Sequence, residues 1–149
     1  LLEISCKHFG GVIIPWLVYE ESVLAGKNKF PDSARIKEII EAKLIKVVKI
    51  RAEHLIEKAN EFNIYRGEAE AVALYWQEKA DHLATDDDNV RKKRTVLDLN
   101  IIGTPVIILK LFNEKVIDKN KFQESIRQLR KVGWFSNAIL DKVLMEGLK

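Results

Sequence analysis

The sequence predicts an α/β fold in which helices cover a short parallel sheet on both faces and further helices follow at the C-terminal end. Two observations predict it. Short apolar runs rich in β-branched residues recur along the chain, and amphipathic segments of about ten residues separate them. Parallel strands are buried on both faces, which is why such runs are apolar throughout. The alternation of the two patterns is typical of a three-layer α/β/α domain.

The composition fits one globular domain of 149 residues, with 47% hydrophobic and 32% charged side chains. The net charge of +3 is only a weak indication of a polyanionic partner. Cys6 is the single cysteine, so an internal disulfide and a cysteine-rich zinc site are excluded. The longest apolar stretches, 12–19 and 104–109, are far shorter than the roughly 20 residues of a membrane span. We therefore expect a cytoplasmic protein without a membrane anchor.

The first half of the chain alternates helix and strand signals. Glu20 and Glu21 suit a first helical turn, where the helix dipole favours carboxylates, and Asp32 or Ser33 can cap a later helix. The predicted elements are a short opening helix, a strand over 12–14 that ends at Pro15, a helix from about 18, a turn over 26–31, a helix through 36–40, a strand over 44–50 and a helix over 52–62.

The clearest helix is predicted over 68–80. Its apolar residues follow the spacing of one buried helical face: Ala69, Val72, Ala73, Trp76 and Ala80. Later elements are a strand over 82–85, a turn and cap over 86–89, a helix over 90–99, a strand over 101–102, a helix with Thr104 as its cap and Pro105 as its first residue, and two amphipathic helices over 121–131 and 136–146.

Three acidic groups lie near the predicted carboxyl ends of strands or at the helix starts that follow. They are Glu20-Glu21, the pair Glu68 and Glu70, and Asp86-Asp87-Asp88. Ligands of α/β folds bind at that edge of the sheet, and carboxylates gathered there repel one another unless a hard divalent cation offsets their charge. Mg²⁺ or Mn²⁺ suits such an all-oxygen site. Any one group alone is better interpreted as a helix cap, whereas three groups at one edge favour a metal site; periodicity leaves open whether Glu68 or Glu70 faces that site.

The order of four motifs resembles the PIN-domain nucleases. The motifs are Ile14-Pro15-x-x-Val18-x-x-Glu21, Gly67-Glu68-Ala69-Glu70-Ala71-Val72-Ala73-Leu74, Asp86-Asp87-x-x-x-Arg91 and Gly103-Thr104-x-x-Ile107. The Gly-Glu-Ala-Glu-Ala run is similar to that of the prokaryotic, VapC-like branch. The resemblance implies an α/β/α nuclease fold, Mg²⁺ or Mn²⁺ as cofactor, RNA as substrate and, for many relatives, a toxin role with an antitoxin protein as partner.

By position, the resemblance implies a role for each acid. Glu21 resembles the acid that follows the proline of a strand, Glu68 the mid-chain acid and Asp86 the late acid, with Asp87 beside it as a ligand or water-positioning group. PIN domains usually begin with a strand that ends in an aspartate, and residues 1–149 contain no counterpart of it. We therefore expect a single PIN-like domain over 1–149 that lacks this strand.

The basic run Arg91, Lys92, Lys93 and Arg94 follows the late acids. It is a candidate nucleic-acid-binding segment that would contact phosphates beside the metal, although a solvated helix face is the alternative. Arg91 can instead pair with Asp87 four residues earlier. Trp16 follows Pro15 near the expected site, and an exposed ring there could stack on a base.

The broad apolar faces of the two terminal helices either cover the sheet or form a homodimer surface, and the resemblance favours a homodimer. The resulting hypothesis is a metal-dependent endoribonuclease that uses Glu21, Glu68, Asp86 and Asp87. A catalytically degenerate PIN-like binding or regulatory module is the first alternative. A receiver-like regulatory domain is the second, although receivers place their acid pair after the first strand.

Overall fold

The computed structural model describes residues 1–25 and 31–149. The helices are α1 (Leu2–Phe9), α2 (Trp16–Tyr19), α3 (Pro31–Glu41), α4 (Glu53–Glu61), α5 (Arg66–Glu78), α6 (Asp88–Lys92), α7 (Thr104–Asn113), α8 (Lys119–Val132) and α9 (Asn137–Gly147). The strands are β1 (Val12–Pro15), β2 (Ile45–Val48), β3 (Leu83–Ala84) and β4 (Ile101–Ile102). A π-helical segment, Glu20–Leu24, continues α2.

The strands pair as the sequence predicts, in parallel. β1 lies beside β2 with Val12 opposite Ile45 and Pro15 opposite Val48. β3 and β4 are joined by hydrogen bonds from Leu83 N to the Asn100 carbonyl (2.9 Å) and from Thr85 N to the Ile102 carbonyl (3.2 Å). Both bonds advance in the same direction along the two strands, which is a parallel arrangement. Within the described residues, the strands form two two-stranded sheets and not the one sheet expected.

The chain divides into two compact units, Leu1–Leu83 with Asp87–Ile101 and Ala84–Asp86 with Ile102–Lys149. The larger buried cluster of the first unit comes from α4, α5, β3, α6 and the segments after α4 and α6: Ala59, Ile64, Ala69, Val72, Leu83, Val90, Leu97 and Leu99. Helix α5 supplies its most buried face, as its periodicity predicts. Trp76 packs against this cluster and donates its indole N–H to the Leu97 carbonyl at 3.2 Å.

The core of the second unit lies among α7, α8 and α9. Phe122 on α8 is fully buried, and its ring stacks on that of Phe112 with centroids 4.5 Å apart. Gly147 makes room for it, because a Cβ at that position would lie 2.6 Å from two carbons of the Phe122 ring. Asp118 and Ser136 cap α8 and α9 with their side chains. Both amphipathic helices predicted here are confirmed, and none of the described helices is long and apolar enough to cross a membrane.

Two predictions in the first half need adjustment. Helix α3 already begins at Pro31, so Asp32 and Ser33 lie in its first turn and do not cap it. The turn predicted over 26–31 falls almost entirely outside the described residues.

Two predictions in the second half are wrong in detail. The helix expected over 90–99 ends at Lys92, and turns follow in which Asp98 adopts a left-handed backbone conformation with φ 52°. Gly103, not Thr104, is the N-cap of α7; Thr104 is its first residue, so Pro105 lies one position later than predicted. The reason is tertiary, because a carboxylate from another part of the chain binds the exposed N–H of this helix.

Candidate active site

The Glu21 carboxylate lies directly against the backbone of Gly67 at the start of α5. A Cβ built on Gly67 would be 2.8 Å from Glu21 Oε2 and 3.4 Å from Val18 Cγ2. Real Cβ atoms do not approach an oxygen that closely, so any larger residue at position 67 would require the flexible end of the Glu21 side chain to move. The first turn of a helix also favours a carboxylate, because the unpaired backbone N–H groups there carry partial positive charge.

Arg66 holds the other side of the same carboxylate. Its Nε lies 3.5 Å from Glu21 Oε1, and its side chain is exposed. The backbone of Arg66 has φ 56°, a left-handed conformation that costs a non-glycine residue roughly 1 kcal/mol or more. Arg66, which the sequence did not single out, is part of the candidate site because its guanidinium contacts the Glu21 carboxylate.

The two glutamates of the Gly-Glu-Ala-Glu-Ala run have different surroundings. Glu70 is half-buried, and its Oε2 accepts a hydrogen bond from the backbone N–H of Leu17 in α2 at 3.3 Å. Glu68 is exposed to solvent in the first turn of α5. Glu70 thus joins α5 to α2, while Glu68 is exposed to solvent, and which of the two serves as a metal ligand stays a prediction.

Both carboxylate oxygens of Asp86 accept hydrogen bonds from Thr104. Oδ1 accepts the backbone N–H of Thr104 at 2.7 Å, and Oδ2 accepts the Thr104 hydroxyl. A Cβ on Gly103 would lie 3.1 Å from Asp86 Oδ1, so the glycine allows this close approach. Asp86 therefore caps the N-terminus of α7 from 18 residues earlier in the chain. The two bonds hold its carboxylate in one orientation, and both oxygens keep further lone pairs.

Asp87 caps α6, as the sequence predicts. Its Oδ1 accepts the backbone N–H of Val90 at 2.8 Å. Asp88, the next residue, is exposed in the first turn of the same helix. The cap interpretation is thus confirmed for Asp87, and its role as a metal ligand or water-positioning group stays a prediction.

Part of the basic run is engaged within the protein. The Lys93 ammonium donates to the Phe62 carbonyl and to Asn89 Oδ1 (2.7 Å), and Arg94 Nη1 donates to the Arg91 carbonyl at 3.2 Å. Lys92 is exposed. These bonds fix the turn after α6, so Lys93 and Arg94 contribute to local structure, and the nucleic-acid-binding role of the run stays a prediction.

The donors fit a hard divalent cation by chemistry, since every candidate ligand is a carboxylate. Glu21, Glu68 and Asp87 belong to the first unit and Asp86 to the second. In residues 1–25 and 31–149, no three His, Cys, Asp or Glu side chains come close enough together to hold a metal ion. The set of four ligands inferred from the sequence therefore stays a prediction.

The short parallel strands and the helices around them define a mixed α/β protein. A family model described as a PIN domain matches residues 1–147. The chain therefore belongs to the PIN-domain family, as the motif order indicates, and its mixed α/β structure is consistent with the α/β/α PIN fold. No curated protein matches the chain, and no solved structure matches it.

Proposed function

We propose that this PIN-domain protein is a metal-dependent endoribonuclease. The observation that carries the proposal is the contact between Glu21 and Gly67, in which a carboxylate lies against the first turn of α5. The exposed guanidinium of Arg66, 3.5 Å from the same carboxylate, supports the same interpretation. Membership of a family whose members are generally nucleases supplies the class of reaction.

The residues proposed to hold Mg²⁺ or Mn²⁺ are Glu21, Glu68, Asp86 and Asp87. When bound, such an ion supplies activation of the attacking water and stabilises negative charge during phosphodiester hydrolysis. Thr104 orients the Asp86 carboxylate through two hydrogen bonds. The exposed guanidinium of Arg66, next to Glu21, has the planar donor geometry that binds phosphate oxygens, so it is suited to hold the substrate backbone.

The proposal is tested by cleavage of a labelled single-stranded RNA in Mn²⁺ or Mg²⁺, and in a chelator. We expect chelator-sensitive cleavage that falls about a hundredfold or more in Glu21→Gln, Glu68→Gln and Asp86→Asn. Two exposed neighbours provide matched controls: Glu20→Gln and Asp88→Asn should cleave like the wild type. Metal-independent cleavage, or equal losses in the controls, would contradict the proposed ligands.

A catalytically degenerate binding module is the second candidate function. It is favoured by the hydrogen bond of Asp87, whose Oδ1 accepts the Val90 N–H at 2.8 Å as a helix cap, a structural role that requires no metal ion. For this function, wild-type protein would bind RNA with no cleavage in any divalent cation. The same assay, run beside a binding measurement, separates the two candidates.

A toxin role with an antitoxin partner, and a homodimer, complete the proposal. Exposed apolar side chains on and between α8 and α9 support a protein interface: Val132, Trp134, Ile139 and Met145. Growth arrest on expression that Asp86→Asn relieves would support the toxin role, and normal growth would oppose it. Light scattering of the purified protein measures the dimer, and Met145→Lys should shift it to monomer if these side chains form the interface.

A further inference from the structure

We propose that Trp16, with Tyr19 and Lys49, is a stacking platform for an unpaired base of single-stranded RNA, an inference that takes its substrate class from the proposed function. The platform lies in the first unit and consists of the described residues Trp16 and Tyr19 on α2 and Lys49 just after β2. None of the three is among the residues proposed to hold the metal.

Sheet register brings the ring and the cation together. Pro15 lies opposite Val48 in the parallel pair β1 and β2, so the next residues, Trp16 and Lys49, leave the sheet at the same edge. The Lys49 ammonium lies 5.9 Å from the centroid of the Trp16 ring. At this distance a cation is attracted by the negative face of an indole.

The Trp16 ring is open to solvent on the surface. Trp16 remains 42% exposed, although a large aromatic side chain gains more from burial than almost any other. The Tyr19 ring supports it from the next helical turn, with centroids 5.2 Å apart and planes inclined at 46°. The exposed Trp16 ring is itself the flat apolar surface on which a base stacks, and the tilted Tyr19 ring packs beside it.

The backbone on both sides of the platform is tied to α5. Glu70 Oε2 accepts the N–H of Leu17, the residue after Trp16. The Gln77 side chain accepts the N–H of Arg51 at 2.7 Å and donates to the Lys49 carbonyl at 3.3 Å. These bonds fix the backbone from which the Trp16 and Lys49 side chains project, so the backbone loses little conformational entropy when a ligand binds.

Charge identifies the occupant. Lys49, near the ring, and Arg51, two residues later and 3.7 Å from the Glu78 carboxylate, are exposed cations that can contact the phosphates flanking a stacked base. An exposed aromatic ring flanked by cations is the combination by which proteins hold single strands without reading their sequence. In duplex RNA the bases are already stacked on one another, so the platform selects an unpaired base.

Binding is measured by fluorescence anisotropy of a labelled single strand of about ten nucleotides, in a chelator that prevents metal-dependent cleavage. We expect Trp16→Ala to weaken binding about 5- to 150-fold, the range for losing one base-aromatic stack. Trp16→Phe should retain most of the affinity. Phe9→Ala, which removes an aromatic ring on α1 that is 39% exposed, is the matched control and should bind like the wild type.

Lys49→Ala provides a second and independent variant. It should weaken binding less than Trp16→Ala and reduce the slope of log affinity against log salt by about 0.7, the value for one phosphate contact on a single strand. Lys142→Ala, an exposed lysine of α9, should leave the slope unchanged. Thermal unfolding of every variant identifies any that fail to fold.

The inference is overturned if a folded Trp16→Ala protein binds RNA like the wild type, if the control variants lose as much affinity, or if a blunt duplex of the same length binds equally well. It is also overturned if the wild-type protein binds no RNA and Trp16 instead binds an apolar peptide or a second copy of the chain. Binding that depends on Trp16 without cleavage in any cation rejects the nuclease proposal and leaves the platform standing. If the protein cleaves RNA but its affinity for RNA does not depend on Trp16, the platform is rejected and the nuclease proposal is kept.

Discussion

Gly67 lies so close to Glu21 that a Cβ at position 67 would be only 2.8 Å from the Glu21 carboxylate oxygen Oε2. The Glu21 carboxylate can therefore lie here because Gly67 has no side chain. Arg66, directly before the glycine, contacts the other carboxylate oxygen at 3.5 Å. The start of α5 thus determines where the Glu21 carboxylate lies, and a single methyl group is enough to test that relationship.

We expect Gly67→Ala to displace the Glu21 carboxylate and to lower RNA cleavage at least tenfold. Overpacking should also reduce the free energy of unfolding by about 1–3 kcal/mol, partly offset by the better helix propensity of alanine. The checks are the cleavage rate and a urea denaturation curve. The double variant Gly67→Ala with Glu21→Ala relieves the overlap, so its stability should recover and its cleavage should not. A fully active Gly67→Ala protein would contradict the assigned role of this contact.

We expect Thr104→Val to destabilise the protein by about 1–2 kcal/mol, because it removes the hydroxyl that Asp86 Oδ2 accepts while it keeps the shape of the side chain. The backbone bond from Thr104 N to Asp86 Oδ1 remains, so the helix start is retained. Urea denaturation measures the loss. Thr95→Val, at an exposed threonine, is the matched control and should be neutral. Equal stability of the two variants would show that the hydroxyl bond is unimportant.

Burial raises the pKa of the Cys6 thiol above its ordinary value of 9.0. The folded protein therefore holds the thiol proton more tightly than the unfolded chain does. This contribution to stability is fully present below pH 9.0 and is lost as the pH rises through the pKa of the folded state. Stability measured from pH 8 upward should fall in the wild type and fall less in Cys6→Ala.

The same burial protects Cys6 from reagents. The side chain is 3% exposed and packs with Ile39 and Ile45. Labelling with a thiol-specific disulfide reagent at pH 8 should therefore be slow and should accelerate with urea in parallel with unfolding. Rapid labelling in the absence of denaturant would contradict the burial of this residue.

We expect Gly147→Ala to destabilise the second unit by about 1–3 kcal/mol. The added Cβ would lie 2.6 Å from two carbons of the Phe122 ring and 3.3 Å from Leu109 Cδ1, and the ring is fully buried, so it has no free space into which to move. Thermal unfolding measures the effect. Glu146→Ala, at the exposed neighbour, should change stability by less than about 0.5 kcal/mol. A neutral Gly147→Ala would indicate that the packing around Phe122 adapts.

Local patterns predicted most of the secondary structure, because a helix that buries one face needs apolar residues at regular spacing. Ala69, Val72 and Ala73 are completely buried on α5, as their spacing indicates. The helix predicted over 90–99 was too long because its apolar residues Leu97 and Leu99 belong to turns that nonetheless pack into the core. Periodicity cannot distinguish a turn from a helix when both bury the same side chains.

The sequence by itself determined the order of the elements, the acidic groups and the family, since all three depend on residue type and spacing along the chain. Only the tertiary structure decided how the acids differ. The Glu70 carboxylate accepts a hydrogen bond from the backbone N–H of Leu17, 53 residues earlier, whereas Glu68 stays exposed to solvent. Asp86 replaces Thr104 as the side-chain cap of α7 for the same reason. A hydrogen bond requires its two atoms to lie within about 3 Å of each other, and for residues far apart in the chain only folding decides which atoms do.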